Sequence, residues 1–286
     1  MFRRPSWPLN LCFNVIFQEG VRRTGLLWSR MAYGLSIEGL DHVPLEGAVI
    51  VAPNHTRWAD HFVVAARLPL HFGMGKVGYF TPASPSASWI RRVGARIKIG
   101  FMRGHGMYPV KRYSDRSPEA LSYTYEDYFL PRYQETILAH IQQILPKDKI
   151  SCLRDLDGPT FTRYLLMMGE FLMWFPQGTR HPQGDSSGAK PGLGKVVLGL
   201  AEEYGLKTSI VPTALLYQHV GRLRPWPPMM GLKASLRYDG VMSYDDLLDE
   251  YLSLDPECDA VKRRRIEQAF CDRIMERVGR MLDEMV

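Results

Sequence analysis

Chemistry in this chain is best placed at His55 and Asp60, which stand in the stretch Asn54-His55-Thr56-Arg57-Trp58-Ala59-Asp60. A carboxylate that accepts one ring N–H of an imidazole fixes its tautomer and leaves the other nitrogen to take a proton from an alcohol or thiol. A His-x4-Asp spacing is weak alone in a chain with 8 histidines, because a lone His near a strand end usually packs in a core or faces solvent. Its place adds weight. Val49-Ile50-Val51-Ala52 reads as a short buried strand stopped by Pro53, and in α/β domains ligands bind in the crevice outside the carboxyl ends of the strands.

A second group follows the apolar run Phe171-Leu172-Met173-Trp174, where the chain continues Phe175-Pro176-Gln177-Gly178-Thr179-Arg180. The proline ends the strand, Gly178 permits a turn that a Cβ would hinder, and Arg180 can present a planar fork to a phosphate. A third run, Gly106-Met107-Tyr108-Pro109-Val110-Lys111-Arg112, sets two cations at the end of an apolar segment.

The elements needed to hold these groups are readable in outline. Leu35–Leu40 predicts a short strand and turn, and residues 61–68 predict a helix that opens beyond Asp60 and stops before Pro69. Met74–Phe80 suggests a strand, Trp89–Arg96 a short helix and Ile97–Ile99 another extended piece. Residues 113–158 differ in character, with Tyr113, Tyr123, Tyr125, Tyr128 and Tyr133 early and a helix over Glu135–Leu145, and they read as an insertion. Their aromatic spacing suits core packing better than a lid or a lipid contact.

Helices are expected over Thr160–Met168 and Lys195–Tyr204, with strands over Ser209–Tyr217 and Leu232–Tyr238. Pro212 marks the former as an edge or bulged strand. The tail from Ser243 is helical, with Asp255 as cap and Pro256 in the first turn of the last helix. Its apolar face is expected to hold Ile266, Phe270, Ile274, Val278, Met281 and Met285. Lys262-Arg263-Arg264-Arg265 reads as a solvated face, with anionic lipid or a carrier as the functional alternative. The fold class is α/β, a mixed sheet flanked by helices, with N-terminal amphipathic helices and a C-terminal helix.

At 286 residues and 45% hydrophobic content the chain can bury a sizeable core. The 36 Lys and Arg against 30 Asp and Glu give a net charge of +6, which suits an anionic partner. No helix-turn-helix, zinc-finger or RNP-like pattern favours nucleic acid. The cysteines Cys12, Cys152, Cys258 and Cys271 are scattered and form no C-x-x-C pair, so neither a zinc site nor a redox motif is indicated, and a reduced intracellular protein fits best. Residues 8–33 mix Leu11, Val15, Ile16, Leu26, Leu27, Trp28 and Met31 with Arg22, Arg23 and Arg30, a pattern that suits either an interfacial helix or a packed terminal one. With no signal-peptide pattern and no uncharged run of 18 residues or more, any membrane contact is expected to be peripheral and the location cytoplasmic.

Taken in order, these blocks resemble the glycerolipid acyltransferase family that includes the 1-acylglycerol-3-phosphate acyltransferases. Asn54-His55 through Asp60 resembles its Asn-His-x4-Asp block, Gly106 through Arg112 its second block, Phe175 through Arg180 its Phe-Pro-Glu-Gly-Thr-Arg block, and Ile210-Val211-Pro212 its last. Lys76 falls where the family often has a lysine. The likeness spans roughly residues 36–240, and four ordered blocks are far more specific than any one of them. Three departures stand out: Gln177 replaces the usual Glu, Gly78 replaces a common Glu two residues after the lysine, and the 113–158 insertion widens the gap between the second and third blocks.

The resemblance implies an O-acyltransferase with a domain over 36–286 behind an amphipathic segment over 1–35. Its activity would move an acyl group from acyl-CoA or an acyl-carrier protein to a lysophospholipid or glycerol phosphate. His55 would be the base and Asp60 its orienting partner, with Asn54, Lys76, Arg112, Gln177, Gly178, Thr179 and Arg180 around the substrates and no metal or resident cofactor. A non-catalytic carrier- or membrane-binding protein on the same fold, and a thioesterase using the same pair on water, are the alternatives. The chain has no Gly-x-Ser-x-Gly elbow, which counts against a serine hydrolase.

Overall fold

The computed structural model describes residues 34–57, 60–65, 68, 71–74, 88–89, 106–110, 124–182, 185–186, 188–219 and 232–286. In chain order they form β1 (Ser36–Glu38), β2 (Val49–Pro53), α1 (Asp60–Ala65), β3 (His71–Met74), β4 (Met107–Pro109), α2 (Tyr125–Tyr128), α3 (Gln134–Ile144) and α4 (Gly158–Met167). There follow β5 (Phe171–Met173), α5 (Gly192–Tyr204), β6 (Ser209–His219), β7 (Leu232–Tyr238), α6 (Asp245–Leu252) and α7 (Ala260–Met285). The described residues before Pro69 and from Phe171 onward make one compact unit, and those from 71 to 170 make a second.

The first unit is built on strands in the order β1-β7-β6-β2-β5. β2 runs parallel to both β5 and β6, β7 is antiparallel to β6, and β1 is parallel to β7, so the sheet is mixed. Every residue of β2 is buried, as its unbroken apolar run requires of a central parallel strand. Along the C-terminal helix α7, Ile266, Phe270, Cys271, Ile274, Met275, Val278, Met281 and Leu282 are buried. They follow a helical stripe, and α7 packs on β6 and on α5. Gly194 in α5 sits against the backbone of Glu267, where a Cβ would collide with the carbonyl oxygen, so glycine sets the close approach of the two helices.

Several boundaries differ from those read in the sequence. β6 is central rather than an edge, bonded to β2 on one side and to β7 on the other. It tolerates Pro212 because the β6–β7 ladder runs only from Thr213 opposite Tyr238 to His219 opposite Leu232. The Pro212 carbonyl accepts from Asp239 N at 2.9 Å, so the absent N–H lies on the side where β7 has just ended. The last helix is entered from Asp259 rather than Asp255. Asp255 instead caps the preceding turn by accepting from Glu257 N at 2.8 Å. Helix α5 begins at Gly192, three residues before Lys195. Within the basic run, Arg263 is buried rather than solvated, forked onto Glu202 with one N···O distance of 2.8 Å and lying over the Tyr251 ring at 3.9 Å.

In the second unit β3 and β4 are parallel. The strand expected over 74–80 lies at 71–74, and residues 75–80 are outside the described set. Tyr125 and Tyr128 are core residues, and their hydroxyls donate to the Pro109 and Met107 carbonyls at 2.8 and 2.7 Å. Tyr108 donates or accepts across 2.9 Å to Thr162 Oγ1, and burial pushes its phenol far up. Each buried phenol therefore has a partner, as burial of a polar tip demands. Helix α4 starts earlier than Thr160 because Asp157 caps it, accepting from Thr160 N at 2.8 Å. Tyr113, Tyr123 and the helix expected over 89–96 lie wholly or mostly outside the described residues.

Candidate active site

His55 lies two residues past the end of β2, and the sheet itself fixes where it stands. Asn54, fully buried, extends the β2–β6 ladder with its side chain: Nδ2 donates to the Leu215 carbonyl at 2.9 Å and Oδ1 accepts from Leu215 N at 2.7 Å. The next residue is released from the sheet but not left loose. Its backbone N–H donates to Gln177 Oε1 at 3.0 Å, and its carbonyl accepts from His181 N at 2.8 Å. The imidazole lies on the Phe175 ring, with centroids 4.1 Å apart and planes inclined by 27°.

His55 Nδ1 and Asp60 Oδ2 are 2.9 Å apart, with Asp60 fully buried and the His55 side chain 19% exposed. The same Oδ2 accepts from the backbone N–H groups of Thr56 at 2.6 Å and Arg57 at 2.7 Å. Oδ1 accepts from the Tyr217 hydroxyl at 2.8 Å. With donors on both oxygens, Asp60 is set as an acceptor, so Nδ1 carries the hydrogen and Nε2 is the ring nitrogen left for chemistry. Burial of the carboxylate and partial exposure of the imidazole divide the pair into an anchor and a working group.

The turn after β5 closes around His55. Gln177 is fully buried, and its Nε2 donates to the Asp185 carbonyl at 2.8 Å while its Oε1 holds His55 N. Gly178 has φ 67, and a Cβ there would press on the Lys190 side chain at 3.3 Å. Thr179 and Arg180 are exposed, and among the described residues Arg180 has no carboxylate partner. Lys76 and Arg112, expected beside Arg180 around an anion, lie outside the described residues.

Three contributors were absent from the sequence reading. The sequence marks Tyr217 only as part of a buried strand, and nothing local signals that its hydroxyl reaches Asp60 from the neighbouring strand. Phe175 stands in the sequence only as the start of a motif, with nothing to show that the His55 ring lies on it. A second imidazole–carboxylate pair, His181 Nδ1 and Asp185 Oδ2 at 3.2 Å, sits on the turn beside His55. Its His-x3-Asp spacing could have been found. Among the described residues no group of three His, Cys, Asp or Glu is placed to hold a metal, and no helix is long and apolar enough to cross a membrane.

A family model described as Acyltransferase matches residues 34–216, which is well over half of the chain. The chain belongs to the acyltransferase family. No curated protein matches this acyltransferase. Among solved structures it is similar to the 1-acyl-sn-glycerophosphate (LPA) acyltransferase PlsC from Thermotoga maritima, at 14% identity and a TM-score of 0.45 over 95% of this chain and 80% of that one. The matched region of this family member takes in His55, Asp60, the 175–180 turn and the β6 residues that hold Asn54.

Proposed function

We propose that this acyltransferase moves a fatty acyl group from an acyl thioester, acyl-CoA or acyl-carrier protein, to a hydroxyl of a lysophospholipid or glycerol phosphate. The observation that carries the reading is the His55–Asp60 pair, joined at 2.9 Å with Asp60 anchored on both oxygens. His55 Nε2 takes the acceptor's hydroxyl proton as that oxygen attacks the thioester carbonyl. The C–S bond then breaks, and the departing thiolate takes the proton back from the imidazolium, which restores neutral His55. Asp60 stabilises the imidazolium in between without itself accepting a proton. The reaction is direct and needs no acyl-enzyme, because a thiolate is a good leaving group.

The acceptor assignment draws on the net charge of +6 and on Arg180, exposed beside the His55 turn, with Lys76 and Arg112 as further candidates from the sequence. Thr179 and Gly178 shape the same turn. Asn54 and Gln177 act in this reading by fixing the chain at His55, Asn54 through its buried side-chain bonds to the Leu215 backbone and Gln177 through its bond to the His55 N–H. The protein would work at a membrane surface through residues 1–35. Removing that segment should then abolish co-sedimentation with anionic vesicles, and undiminished sedimentation would place the contact elsewhere.

The deciding experiment incubates the full chain with acyl-CoA and acyl-carrier-protein donors, with and without a panel of lysolipids and glycerol phosphate. Thiol release and product mass are followed for the native protein and His55→Ala. Acceptor-dependent ester formation, reduced roughly 100-fold or more in the variant, is the expected result. Thiol release independent of any acceptor would make it a thioesterase, and no turnover with any pair would leave a non-catalytic member of the family.

A further inference from the structure

We infer that Tyr217 is a positioning residue for the His55–Asp60 pair, a role that rests on the proposed base function of His55. Among the described residues its hydroxyl is the one side-chain donor on Asp60 Oδ1, at 2.8 Å, while Oδ2 is shared by the His55 ring and two backbone N–H groups. Tyr217 is only 2% exposed, so water does not readily replace it. The guanidinium of Arg57 lies over the Tyr217 ring at 4.8 Å, which holds the face of the ring while the hydroxyl donates to the carboxylate. β6 thus touches the site twice, through the Leu215 backbone that clamps Asn54 and through the Tyr217 side chain that clamps Asp60.

Two consequences follow for the imidazole. The carboxylate cannot rotate about Cβ–Cγ without breaking the Tyr217 bond, so Oδ2 stays in line with Nδ1. The phenol also draws negative charge toward Oδ1, and removing it returns that charge to the oxygen facing His55, which favours the imidazolium. Among the described residues, the titratable and charged groups around the pair are Arg57 on the Tyr217 ring, His61 next to Asp60 in α1, and the His181–Asp185 pair on the turn that meets the His55 backbone.

Tyr217→Phe keeps the ring and deletes the hydroxyl. For the full-length variant we expect kcat to fall about 10-fold with both KM values within about twofold, the size of effect set by one hydrogen bond to a charged group. In protein without substrates, NMR titration of the His55 ring should move to higher pH. In an Asp60→Asn background the same change should leave the His55 titration where Asp60→Asn alone puts it. An unchanged His55 titration in Tyr217→Phe overturns the inference whatever happens to kcat, and so does a shift of equal size in the Asp60→Asn background. A native protein that transfers no acyl group yet shows the titration shift keeps Tyr217 as the positioning residue and removes the acyltransferase reading instead.

Discussion

The side-chain amide of Gln177 joins two backbones: its oxygen accepts the His55 N–H at 3.0 Å, and its nitrogen donates to the Asp185 carbonyl at 2.8 Å. A glutamate at this position would keep the first bond, but it would set a buried carboxylate oxygen against the Asp185 carbonyl. Gln177→Glu should therefore cost about 1–3 kcal/mol of stability, the penalty for an unsatisfied buried polar pair. Thermal denaturation of the variant tests this. An unchanged or raised Tm would mean that the turn accommodates the acid by taking another partner.

Arg180 offers a fork on an exposed part of the same turn, where lysine would offer only a point charge. In Arg180→Lys the apparent KM for a phosphate-bearing acceptor should rise roughly 10-fold, with the donor KM little altered. If the donor KM alone rises, the arginine meets the phosphates of the coenzyme or carrier. If neither moves, the anion is held elsewhere.

Arg263 is 8% exposed and forked onto Glu202, so Glu202→Ala would strand a nearly buried guanidinium. The expected loss is about 2–3 kcal/mol, discounted from the range for fully buried pairs because Glu202 retains some solvent contact. Arg273 makes a similar fork onto Asp246 at 2.7 Å for both bonds, but at the surface. Asp246→Ala should shift the unfolding midpoint much less than Glu202→Ala, and equal shifts would contradict the burial argument.

His140, bonded through Nδ1 to the Tyr164 hydroxyl at 2.8 Å, has its pKa lowered from 6.5 by partial burial. The unfolded chain then takes up a proton that the folded chain resists. This contribution to stability is full above the unfolded value and is lost as pH falls from there through the folded value. His140→Gln keeps a hydrogen-bonding side chain but cannot titrate, so denaturant midpoints at pH 7 and pH 5 should lie closer together in the variant than in the native protein. An unaltered gap would place the acid sensitivity in other groups.

Much of the site was legible because its signals are local. A strand interrupted by Pro53, an imidazole and a carboxylate five residues apart, and a glycine turn before Arg180 are all contained within short windows of sequence. Tyr217 was not legible, since its role depends on the register that sets Ala52 opposite Pro212 and carries β6 past the end of β2. The same register explains why Pro212 misled: a proline demotes a strand only where a ladder bond is needed on that side, and β7 has ended there. The basic neighbours of Arg263 make the run look solvated in sequence. The burial of Arg263 follows from helical phase, three residues before Ile266 and seven before Phe270, on the stripe that faces α5.

The Asn54 clamp ties the fate of the dyad to that of the whole sheet. Many enzymes lose activity by local loosening of a loop well before they melt. Here the residue just before His55 is sewn to the backbone of a central strand, so freeing His55 means parting β2 from β6, the middle of the first unit. Heat inactivation and loss of structure should then be a single event, and this protein's catalytic lifetime at a given temperature would be set by how fast its sheet opens.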